Sequence, residues 1–231
     1  MGLDYKICYK YNTRSRPELF KTTLQRYYDY MDNKTDFQFA VTADTNDSTM
    51  NNPEIIQFVN DHTNASITFG VSTSKISSVN NDVPTNDWDI IVLVSDDMIP
   101  QIQGFDNIIR NDMKKYYADL NGLLWYWDGR TKAICTLTIM GRTMYDYFGH
   151  LYHPVFITHY ADDFLTLVTE DKQQFIDKCI IKHEWCLHNN DALMRKCESQ
   201  ELTSKDRRHY RRMKRRWNKD KNYNLIRNYP L

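Results

Sequence analysis

The run Trp88-Asp89-Ile90-Ile91-Val92-Leu93-Val94 is almost wholly apolar and rich in β-branched residues, and Ser95-Asp96-Asp97 follow it directly. Such a run has no polar face to turn toward water. It reads as a strand buried on both sides, the position of a central strand in a parallel sheet covered by helices. Parallel neighbours are joined by long crossovers, so the rest of the chain has to provide helices between strands.

The flanking sequence provides them. Residues 5–9 read as a first strand, and Pro17 stands at a first helical position with Leu19, Phe20, Thr23, Leu24 and Tyr27 at helical spacing behind it. Residues 37–41 read as a second strand and residues 65–71 as a third. Between them, Asn51-Asn52-Pro53 forms the cap and first turn of a helix reaching Val59. Phe105, Ile108, Ile109, Asp112, Met113, Tyr116 and Tyr117 mark a further helix. The second half is more irregular and aromatic, with strands expected at 132–139 and 175–183. The prediction is an α/β fold: one Rossmann-like, mixed but mostly parallel sheet with helices on both faces. At 231 residues with 41% apolar content the chain is long enough to bury one sizeable core.

Several classes are disfavoured. The seven glycines form neither GxGxxG nor GxxxxGK[ST], which argues against dinucleotide oxidoreductases and P-loop NTPases. Cys8, Cys135, Cys179, Cys186 and Cys197 are odd in number with no CxxC pair, so reduced thiols are expected rather than a disulfide framework or zinc ribbon. No basic-then-apolar leader opens the sequence and no apolar run approaches the roughly 18 residues that span a bilayer, so a soluble cytoplasmic protein is the expectation. Thirty basic and thirty acidic residues balance, but unevenly: residues 205–221 carry ten Lys or Arg against Asp206 and Asp220. Three readings of this basic segment stand side by side: a solvated helix, an arm that binds nucleic acid, or contact with an anionic membrane surface.

Parallel sheets bind ligands at the carboxyl ends of their strands, and the residues found there are polar. Thr13 and Arg14 follow the first strand, Asp44 the second, and Asp96-Asp97 the fourth. Two adjacent carboxylates at the end of a buried strand repel one another and lose hydration. A hard divalent cation, Mg²⁺ or Mn²⁺, relieves both costs; the alternative is that Asp96 caps a helix and Asp97 is solvated. Asp44 offers an acceptor to uracil N3 or a ribose hydroxyl. Arg14 and Lys75 offer donors to carbonyl or phosphate oxygens, and Asn80 a contact to a sugar.

The loop Tyr11-Asn12-Thr13-Arg14-Ser15-Arg16-Pro17-Glu18-Leu19-Phe20 resembles the opening of family 2-like glycosyltransferases of the GT-A fold, and Val92 to Met98 resembles their DxD-type metal motif, with Ser95 where a first acid often stands. The resemblance implies that Asp97 binds the metal and Asp96 contacts ribose or sugar. It extends to Gly141–Pro154 and Tyr160-Ala161-Asp162-Asp163-Phe164, similar to the acceptor-side segment, which implies Asp163, or else Asp162, as general base; the bland alternative is an acid-decorated helix start. It also implies that a late histidine, His183 rather than His188, completes the metal or diphosphate site. On this reading residues 1–200 form the transferase domain, with a nucleotide-sugar half to about residue 100 and an acceptor half beyond it, and 201–231 a basic tail.

The implied activity is a metal-dependent, inverting transfer from a nucleotide-diphosphate sugar, with UDP-sugar favoured, to a hydroxyl on a glycan, protein, small molecule or modified DNA. A nucleotidyltransferase and a non-catalytic nucleic-acid-binding protein are the rivals. The first would carry a glycine in the loop after the first strand, where residues 12–16 have none.

Overall fold

Four parallel strands form one half of the sheet. In the computed structural model, which describes residues 5–184 and 199–223, β1 (Ile7–Asn12) pairs with β2 (Phe37–Asp44) on one side and β4 (Ile90–Val94) on the other, and β3 (Ala65–Gly70) extends the edge beyond β2. The sheet continues past β4 through β7 (Ile139–Gly141), β6 (Leu123–Tyr126) and β8 (Gln173–Ile176), giving the order β3-β2-β1-β4-β7-β6-β8. β7 runs antiparallel to both its neighbours, so the sheet is mixed. A separate antiparallel pair joins β5 (Met98–Pro100) to β9 (Ile181–His183).

Helices cover both faces, and the strand pleat explains why. Ile7, Tyr9 and Tyr11 of β1 and Ile90, Val92 and Val94 of β4 point to one layer, where they meet α1 (Pro17–Tyr30), α2 (Pro53–Asn60) and α4 (Phe105–Tyr116). Cys8, Ile91 and Leu93 point to the other, against α3 (Lys75–Asn80), α5 (Arg142–Phe148), α6 (Ala161–Val168) and α7 (Gln200–Asp220). A strand with apolar partners on both faces has to be apolar throughout, and all five residues of β4 are buried. Asn52 caps α2 as its position suggests, its side chain accepting from the Ile55 amide at 3.1 Å.

Three local expectations change. β1 runs on to Asn12, past the point where Lys10 breaks the apolar pattern, because Lys10 is itself fully buried and its ammonium donates to Thr42 Oγ1 of β2. The strand expected over 132–139 reduces to Ile139 at the start of β7. The buried Asp128 carboxylate accepts from the amides of Arg130 and Thr131 and from the Thr136 hydroxyl, so side-chain bonds replace a ladder there. The short run Leu123–Tyr126 is a strand the pattern did not single out, and residues 175–183 split between β8 and β9. Cys8, Cys135 and Cys179 are free thiols, whereas Cys186, Cys197 and His188 lie outside the described residues.

Candidate active site

The ends of β1, β2 and β4 bring the polar loops to one edge of the sheet. Asp96 and Asp97 follow β4, 3% and 8% exposed, and their side chains serve different neighbours. Thr13, in the loop after β1, donates to Asp96 Oδ2 at 3.1 Å, and Thr23 of α1 donates to the Asp96 carbonyl at 2.8 Å. Asp96 Oδ1 is buried with no hydrogen-bond partner among the described residues. Burial pushes the Asp96 carboxyl up to about 7; the Thr13 bond and the Arg16 charge pull it down, and the Asp97 charge pushes it up.

Asp97 turns the other way. Ser95 Oγ donates to its Oδ1 at 2.6 Å, and His183 Nε2 lies 3.6 Å from its Oδ2. Burial raises its carboxyl, but His183, Ser95 and the Lys75 charge outweigh burial and hold it below the ordinary carboxylate range. The β5–β9 pair brings His183 there: β5 starts at the residue after Asp97, and its register sets Met98 opposite His183. The Glu184 amide donates to the Asp97 carbonyl at 2.7 Å and the His183 amide to the Asp128 carbonyl at 2.9 Å, which fixes the carboxyl end of β9.

Of the expected donor-side residues, Arg14 and Asp44 form an ion pair, and the Ser72 amide donates to Asp44 Oδ1 at 3.0 Å. Thr13 stands between this pair and Asp96, its amide donating to the Thr42 carbonyl. Lys75 occupies the first turn of α3, which Ser74 caps through a reciprocal bond with Ser77. Asn80 belongs elsewhere. Its amide donates to the Tyr152 carbonyl at 2.6 Å and accepts from the amides of Leu151 and Tyr152, so its capacity ties α3 to that loop instead of facing a sugar.

Asp162 and Asp163 form the first turn of α6, behind Tyr160 in a left-handed conformation with φ of 62°. The helix-start description of these acids therefore holds, and so does their exposure to a cleft lined by Lys75, Thr158, His159, Tyr160, Asp162, Asp163 and Thr203. Burial and then the Asp162 charge raise the Asp163 carboxyl to about 6, against a smaller opposing pull from Lys214. Lys75 connects the two centres, since it lines this cleft and its charge also reaches Asp97.

α7 holds the cleft wall in place. Asp206 is fully buried, and its carboxylate accepts from the amides of Ile157, Thr158 and His159 at 3.0, 2.8 and 2.8 Å. Arg207 Nε donates to the Tyr160 hydroxyl at 2.9 Å, and Tyr210 stacks on the Tyr160 ring with centroids 5.5 Å apart. The Ile76 amide of α3 donates to the Ile157 carbonyl, so the 157–160 loop is bonded to α3 on one side and to α7 on the other. The signal in the sequence was Asp206 itself, a lone acid entering a run of cations.

Among the described residues no group of three or more His, Cys, Asp or Glu side chains forms a complete metal site. Asp97 and His183 nevertheless present a carboxylate and an imidazole side by side, and a cation held by two protein donors keeps its remaining positions for water and phosphate oxygens. This donor set fits Mn²⁺ or Mg²⁺ completed by a substrate diphosphate. Among the described residues no helix is long and apolar enough to cross a membrane.

No protein-family model matches the chain, and no curated protein matches it in sequence. Solved structures do match. A mannosyltransferase from Pyrobaculum calidifontis, PcManGT, solved in complex with GDP-Man and Mn²⁺, superposes with a TM-score of 0.63 at 12% identity over 79% of this chain and 58% of its own. S. aureus TarS gives a TM-score of 0.60 at 11% identity over 83% of this chain and 39% of its own. Its residues 1–349 in complex with UDP-GlcNAc give 0.59 at 13% identity, over 77% and 58%. This chain thus spans less than two thirds of the length of each of these structures. The likeness is one of architecture: with its sheet of mixed but mostly parallel strands and helices on both faces, this chain has a GT-A-like α/β fold.

Proposed function

We propose that the chain is a metal-dependent, inverting glycosyltransferase that moves a sugar from a nucleotide-diphosphate donor, a UDP-sugar by preference, to a hydroxyl-bearing acceptor. The observation that carries this reading is the meeting of Asp97 and His183 at the carboxyl end of β4, with Lys75 shared between that pair and the cleft holding Asp163. A GT-A-like fold, seen with GDP-Man and Mn²⁺ in one structural neighbour and with UDP-GlcNAc in another, supports it. The free thiols fit a reducing, cytoplasmic setting.

Each residue has a part in that chemistry. Arg14 and Asp44 exchange their mutual ion pair for the nucleoside, Thr13 and Asp96 bound the ribose and sugar, and Lys75 faces the phosphates. Asp97 and His183 hold the metal, which supplies charge neutralisation for the departing diphosphate. Asp163 takes the proton from the acceptor hydroxyl. The freed oxygen pair attacks the anomeric carbon as the bond from that carbon to the diphosphate oxygen breaks, and its electrons leave with the diphosphate. Burial and then Asp162 keep the Asp163 carboxyl raised, so that it is basic enough to take that proton near neutrality.

The test is incubation with Mn²⁺ and a panel of UDP- and GDP-sugars, reading release of nucleoside diphosphate. Release that requires the metal, and that falls by about 10²-fold or more in Asp97→Ala, supports the transferase. Full release in Asp97→Ala, or none with any donor, refutes it.

A further inference from the structure

The outer face of α7 is unrelated to the brace formed by its inner face. Asp206, Met213 and Trp217 turn inward and are buried, and Tyr210 packs with them. With 100° between successive residues, Arg208, Arg211, Arg212, Arg215 and Lys219 fall on the opposite side, and all are exposed. The row from Arg208 to Lys219 is roughly 17 Å long at about 1.5 Å per residue. Residues 207–219 contain no Asp or Glu, and the one acid at the head of this run, Asp206, is sequestered under the helix. The segment 205–221 carries a formal charge of +8 while the rest of the chain carries −8. A field this uneven attracts a polyanion to one place on the molecule.

We infer that the outer face of α7 is a docking surface for the phosphate backbone of a nucleic acid. Charge complementarity sets the class, and two details favour nucleic acid over membrane. Met213 and Trp217 of α7 are turned into the core with Tyr210 packed beside them, which leaves only the half-buried Leu202 of the first turn and no apolar face to enter a bilayer, as interfacial helices require. Guanidinium groups predominate among the cations, and their forked donors match phosphodiester oxygens. Thr203 of the same helix lines the cleft and Lys214 bears on Asp163, so a bound strand would run beside the proposed reaction centre. The docking itself does not depend on the transferase reading.

The experiment compares the full chain with its Arg208→Gln/Arg211→Gln/Arg215→Gln/Lys219→Gln variant. These positions lie away from the packed face, and glutamine supports a helix, so unchanged circular dichroism and Tm establish that the variant is folded. Fluorescence anisotropy with a 20-mer single strand and a 20-bp duplex is followed from 50 to 300 mM salt, beside sedimentation with phosphatidylcholine vesicles containing 30% phosphatidylserine. The expected result is oligonucleotide binding that weakens linearly in log–log salt, with the variant losing about 3 units of slope and at least tenfold in affinity at 100 mM salt. Equal affinity and slope in parent and variant, or binding to the vesicles with none to either oligonucleotide, would overturn it.

Discussion

Asp163 lies half-buried beside Asp162, and burial with that neighbouring charge lifts its carboxyl to about 6. A base works only when unprotonated, so kcat/KM should be level above that value and fall about tenfold per pH unit below it. Asp162→Asn removes the charge that raises Asp163, so the acidic limb should move to lower pH; a limb that stays in place would show that Asp163 does not titrate in the reaction. Asp163→Asn should reduce kcat by about 10²- to 10⁴-fold with donor KM little changed, measured by nucleoside diphosphate release. The two acids were visible in the sequence as a pair. The rise of the Asp163 carboxyl was not, because its largest cause is burial, which the linear chain does not show. Asn80 is a related case: its position was legible, but its bonds to the loop at 151–152 were not.

α7 is an element whose charge hid its packing. Ten cations in a short segment suggested a tail, yet one acid and two apolar residues at helical spacing seat it on the body. Asp206→Ala leaves three amides of the 157–159 loop without their acceptor. It should cost on the order of 2–3 kcal/mol in urea unfolding, and Asp206→Asn, which keeps one acceptor oxygen, should cost less. Because that loop leads into α6, the Asn variant should lower kcat through a displaced Asp163 while leaving donor KM near the parent value. Elements whose apolar spacing was regular were legible: α2, α4 and β4 within a residue or two, and α1 from its first residue to within three of its last. The 132–138 segment was misread because side chains take its donors: Thr131 Oγ1 accepts from the Ala133 amide, Thr166 Oγ1 from the Cys135 amide and the buried Asp128 from the Thr136 hydroxyl.

At the scale of the molecule, the sheet separates two apolar layers and carries one charged side chain, Lys10, fully enclosed in it. Burial lowers its ammonium to about 8 despite opposing help from Asp82. Between about 8 and its ordinary value near 10.5 the unfolded chain binds more protons than the folded one, so Lys10 makes stability rise with pH across that window. Lys10→Met should remove this rise and stabilise the fold at pH 7 by up to about 3 kcal/mol, seen as the difference between parent and variant in chemical denaturation at pH 7 and pH 10. The half of the sheet built from β1 to β4 was legible because its strands and helices alternate in order. The other half was not, since β7, β6 and β8 are short and join out of sequence order. The same mixed order governs how the centre comes into being. Asp97 leaves a ribosome well before His183, at roughly 5–20 residues per second, so the parallel half can close while its histidine strand is still unmade. A chain interrupted before residue 181 would keep the loops after β1, β2 and β4 and lack the imidazole, so the emergence of β9 is what brings the second member of the proposed metal-binding pair to Asp97.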